Sequence, residues 1–110
     1  MITAIFIDSE NQRIEEREID GGDYREINRA IGADVFTFAR PRGLKGRDAV
    51  AVDDEGLLYN PTYGFQIGGQ ALAGNGLVLG ADAEGNSVAP KTSLLDVALL
   101  VRFVRFTEKK

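Results

Sequence analysis

Short apolar runs, each closed by turn formers, follow one another along this chain and set out its elements. Residues 2–8 place Ile2, Ala4 and Phe6 on one side and Ile5 and Ile7 on the other, which predicts a strand apolar on both faces, inside a sheet. Turn formers occupy residues 8–12. Residues 13–20 then read as a charged strand anchored only by Ile14 and Ile19, an exposed edge. Asp23 and Glu26 have capping-box spacing, with Glu26 reaching back to the cap. They predict a helix over 24–31 with Ile27 and Ile31 buried and Gly32 closing it in the left-handed conformation.

Residues 34–40 alternate as a strand with Phe36 and Phe38 on one face. Proline and two glycines make 40–47 an irregular loop, and 49–52 a buried strand follows. The acidic run 53–56 predicts a hairpin-like turn, with Gly56 at positive φ before apolar residues resume at 57–59. A turn at 60–64 and a brief strand at 65–67 come next. The glycine-rich run 68–76 reads as a flexible or tight connection. Residues 77–79 form a strand, 82–85 repeat the acidic turn, and 87–89 return as its partner. Ser93 and Asp96 start a second helix, 93–100. Residues 101–106 suit either helix or strand, their β-branched and aromatic content favouring a closing strand.

The sum is a single α+β domain over residues 1–106, a mainly antiparallel, curled sheet with two short helices packed on one side, and a disordered tail at 107–110. A length of 110 residues supports one core and no more. The amino-terminal apolar run lacks a basic leader, and no stretch nears the roughly 18 apolar residues of a membrane helix. A cytoplasmic protein without a membrane partner is the expectation.

Composition narrows the chemistry. Cysteine and histidine are both absent, which removes thiolate and imidazole ligands, thiol nucleophiles and the commonest proton-transfer group. Ser9, Ser87 and Ser93 have no histidine to activate them. The glycine run lacks the Lys-Ser/Thr ending of a phosphate loop, and neither acidic turn has the ligand spacing of a calcium loop. Carboxylate-pair catalysis needs two acids in one cleft, and nothing in the sequence locates a cleft. No enzyme activity, metal or cofactor is expected.

Charge comes in blocks. Residues 1–26 hold eight acids and three bases, 27–51 two acids and five bases, 52–86 five acids and no base, and 87–110 two acids and five bases. Glu16, Glu18 and Asp20 alternate along the charged strand, so they would share one face about 6.8 Å apart and imitate a line of phosphates. The plainer role for such a row is to keep an edge strand from pairing with other chains. Arg40, Arg42, Lys45 and Arg47 make the opposite feature, a basic loop suited to a nucleic-acid backbone, to an acidic protein or simply to solvent.

Residues 2–8, the turn with its apolar continuation at 53–58, and 72–82 together carry a family likeness. The chain resembles a family of small bacterial proteins encoded by phages, plasmids and other mobile elements and known only as a domain of unknown function. The resemblance implies an accessory role in a bacterial host cell, inhibition of host defence included, and brings no site residue with it. The leading expectation is therefore a non-enzymatic protein whose acidic face, Glu16, Glu18 and Asp20, binds a protein partner such as a defence nuclease or CRISPR effector. The alternative is a nucleic-acid-binding accessory protein that uses the loop 40–47.

Overall fold

A computed structural model describes residues 1–56 and 62–106. In chain order the elements are β1 (Ile2–Asp8), β2 (Arg13–Ile19), α1 (Tyr24–Ile31), β3 (Phe36–Ala39), β4 (Ala49–Asp53), β5 (Tyr63–Ile67), β6 (Gln70–Ala73), β7 (Gly76–Ala81), β8 (Ser87–Val88), α2 (Leu94–Leu100) and β9 (Val101–Arg105). They form an α+β fold. The main sheet runs β2-β1-β7-β4-β3 with β8 paired to β7, and a smaller sheet runs β6-β5-β9. Among the described residues every pairing is antiparallel, and neither sheet closes.

The period of two along each strand sorts the core into two clusters. Ala4, Phe6, Ala51, Leu77 and Leu79 face one way and meet Ile27 and Ile31 of α1. Ile5, Ile7, Val50, Val52 and Val78 face the other way and meet Phe65 and Ile67 of the small sheet and Val97 of α2. The two helices thus cover opposite faces of the main sheet, which corrects the expectation that both pack on one side. Two-sided apolar strands require that arrangement, because each face of β1, β4 and β7 needs its own cover.

Local chemistry explains the boundaries. Gly32 ends α1 at φ 74°, as expected, and its N–H donates to carbonyls of the last turn. The start of α1 differs from a standard capping box. Asp23 accepts from the Arg25 N–H at 3.0 Å, while Glu26 reaches past the cap to the Asp20 N–H at 2.9 Å. The Asp23 N–H is already given to the Asp20 carbonyl, so the more distant amide takes the carboxylate. Ser93 caps α2 by accepting from the Asp96 N–H.

Two further expectations change. The run 68–76 holds a strand, β6, between the turns at Gly68-Gly69 and Gly74-Asn75. Gly56 is not at positive φ, whereas Gly85 of the second acidic turn is, at 87°. The turn at 82–85 makes a hairpin, β7 with β8. Residues 101–105 are strand. The expected apolar stretch at 57–59, residues 60 and 61 of the expected turn and the tail at 107–110 lie outside the described residues.

Candidate functional site

The acidic row begins on β2, which is the edge of the main sheet. Glu16 stands opposite Ile5 and Glu18 opposite Thr3, so both project on the α2 side of the sheet. Thr3 donates its hydroxyl to the Glu18 carboxylate. Asp20 lies one residue beyond the strand, where its carboxylate accepts from the Gly22 N–H at 3.0 Å and shapes the turn into α1. Two of the three acids therefore share the strand face, and the third is a turn residue. On the opposite face of β2, Arg17 lies 3.9 Å from the Phe6 ring centroid and pairs with Glu15 at 3.7 Å.

The four bases of the loop are all exposed, yet they divide. Lys45 pairs with Asp96 of α2 at 3.2 Å. The Arg42 backbone is backed by Gly68, where a Cβ would come within 2.2 Å of the Arg42 carbonyl oxygen. Arg40 and Arg47 instead reach the same cleft of about 240 Å³ on the α1 side of the main sheet. The Arg47 guanidinium also donates to the Asp82 carbonyl at 3.0 Å.

What holds this loop is a buried clasp that the sequence reading passed over. Asp48 is 5% exposed, and its carboxylate accepts from the Lys91 N–H at 3.1 Å, the Thr92 N–H at 2.7 Å and the Thr92 hydroxyl at 2.7 Å. Thr92 accepts in turn from the Lys45 N–H at 2.8 Å. A buried carboxylate is retained only with such a set of donors. Its one available signal was an acid beside the apolar run 49–52.

Two more features were missed. On α2, Leu95 is 68% and Leu99 76% exposed, one turn apart and opposite the buried Val97. They lie on a helix that packs against β2, and Leu99 also borders a groove of about 470 Å³ beside the Gly68-Gly69 turn. Across the molecule, Tyr24, Phe36 and Phe38 form an aromatic file with centroids 6.0 Å and 5.2 Å apart. Helical spacing in 94–100 could have revealed the leucines, since one stripe suffices for burial and two are present.

The acidic turns hold themselves. Asp82 accepts from the N–H groups of Glu84 and Asn86 and from the Asn86 amide, which keep its carboxyl below the usual carboxylate range, the Asn86 backbone bond first among the causes. Among the described residues no three acids converge as metal ligands would, and no helix is long and apolar enough to cross a membrane. Comparison with protein-family models, curated proteins and solved structures finds no match.

Proposed function

We propose that this protein is a non-enzymatic accessory protein of a phage or other bacterial mobile element, and that it acts by binding a protein partner with a basic surface. The observation that carries the reading is the pair Leu95 and Leu99, exposed on a helix packed against the strand that bears Glu16 and Glu18. Apolar side chains at the centre with charged groups beside them are the anatomy of a protein interface. A nucleic-acid backbone would be repelled by the glutamates and would gain little from the leucines. A defence nuclease or CRISPR effector, whose nucleic-acid channel is basic, is the class of partner that fits.

The test is a pull-down from bacterial lysate with the parent protein and Leu95→Ser/Leu99→Ser side by side, followed by an affinity and nuclease-interference assay on any partner identified. Loss of both leucines should weaken binding by at least about tenfold, as expected for central apolar anchors. Glu16→Gln/Glu18→Gln should chiefly lower the association rate and flatten its salt dependence. A partner that binds the double leucine variant as tightly as the parent would overturn this surface, and the absence of any basic partner would overturn the role.

A further inference from the structure

The cleft on the α1 side lies across the main sheet from the leucines and glutamates, and the proposed protein-binding role does not use it. It exists because α1 is too short for the sheet it covers. Eight helical residues span about 12 Å, whereas strands of six or seven residues run about 20 Å or more. The uncovered end of that face has an apolar floor of Ala49, Leu79 and Ala81. Phe38, itself 42% exposed, forms part of one wall, and Arg40 and Arg47 stand at the same opening.

Charge in the cleft has one sign. Among the described residues no carboxylate lines it. Asp48 sits behind Gly80 with both oxygens accepting from Lys91 and Thr92, and the Asp82 carboxylate is taken up by its own turn. Two guanidiniums beside an apolar floor and an aromatic ring suit a ligand that is flat and apolar at one end and anionic at the other. About 240 Å³ is below the usual range for a drug-sized ligand but admits one ring system. Beyond the cleft the aromatic file continues, from Phe38 to Phe36, which is half-buried against the core and edge-on at 5.2 Å, and on to Tyr24, 72% exposed and tilted, at 6.0 Å. Successive aromatic rings beside arginines are the arrangement on which unpaired bases stack while their phosphates are neutralised.

We infer that this face binds single-stranded nucleic acid, with one base in the cleft against Phe38 and the adjoining phosphates met by Arg40 and Arg47. Specificity for single strands follows from the floor: a base reaches Ala49 and Leu79 only when it is free of its partner strand. Recognition by stacking makes the site tolerant of sequence, the net charge of −4 disfavours binding elsewhere on the molecule, and the phosphate contacts of Arg40 and Arg47 make binding weaken with added salt.

Fluorescence anisotropy at low salt, with a labelled oligothymidylate about 15 nucleotides long, tests this directly. Its RNA counterpart, a duplex of the same length and free thymidine monophosphate serve as competitors. The single strands should bind and the duplex and mononucleotide should compete at least about tenfold less well. Arg40→Gln and Arg47→Gln should each weaken binding several-fold and lower the salt slope by about 0.7, and Phe38→Leu should weaken it while leaving that slope unchanged. Arg105→Gln, which removes the same charge from the small sheet, should bind as the parent does. The exposed Arg40 side chain has no hydrogen bond or ion pair among the described residues, so its variant keeps the test valid even if Phe38→Leu melts early. The inference is overturned if no oligonucleotide binds, if the duplex or mononucleotide competes as well as the single strand, or if Arg105→Gln loses as much affinity as Arg40→Gln.

Discussion

Asp48 ties the loop 40–47 to the segment that begins α2 by accepting three hydrogen bonds from Lys91 and Thr92 in a site almost closed to water. Asp48→Asn presents an amide N–H₂ to donors that need an acceptor, and should destabilise the fold by about 2–4 kcal/mol in urea titration. Thr92→Val removes one donor and one acceptor, and should cost about 1–3 kcal/mol. Asp82 predicts a pH effect of definite sign. Its carboxyl is held below the usual aspartate range in the fold by the Asn86 and Glu84 donors, so it contributes stability above that range and loses it as pH falls through the lower, folded value. Asp82→Asn should therefore have a flatter melting temperature against pH than the parent on the acid side, and matched curves below pH 4 and at neutrality would show it.

Elements were legible where hydrophobic period and turn chemistry agreed. The first strand, the charged edge strand, both helices and the buried strand at 49–53 fall within two residues of their expected bounds. The strand β6 escaped because Gln70, Ala71, Leu72 and Ala73 offer one large apolar residue between glycine turns, and pairing with β5 and not local propensity makes them a strand. The side each helix covers escaped for a related reason: the sequence shows that both faces of β1 are apolar, but not which element reaches which face. Of the candidate site, the bases and acids were visible as residues, while their division was not. Asp20 turns away through a local bond from the Gly22 N–H, which strand alternation alone does not reveal, while the pairing of Lys45 with Asp96 and the meeting of Arg40 and Arg47 over one cleft depend on contacts with distant segments. The turn before β6 also supplies a prediction. Gly68 and Gly69 both have positive φ, but a Cβ at Gly68 would lie 2.2 Å from the Arg42 carbonyl oxygen and one at Gly69 would meet nothing. Gly69→Ala should cost only the backbone term of about 1 kcal/mol, and Gly68→Ala markedly more; equal unfolding midpoints would deny the close approach.

At the scale of the whole molecule, the main sheet separates two surfaces of different character, leucines and glutamates on the α2 side and aromatics and arginines on the α1 side. In stability the leucine and arginine variants should add without coupling, since among the described residues the two groups lie on opposite faces and share no partner. A double variant, Leu95→Ser with Arg40→Gln, measured for thermal stability, checks this: its shift should equal the two single shifts within about 0.5 kcal/mol. The strand between the two surfaces also governs how the chain can acquire its shape. β7 lies between β1 and β4, paired to Ile5–Ile7 on one flank and to Ala49–Ala51 on the other. A chain emerging from the ribosome thus exposes two separate hairpins, β1 with β2 and β3 with β4, whose apolar strands β1 and β4 each have one edge unpaired until residues 76–81 follow. A fragment ending at residue 75 should unfold without cooperativity, and adding the peptide 76–106 should restore a single sharp transition. Until that last third is made, the nascent chain is a client for whatever protects unpaired strand edges in the cell.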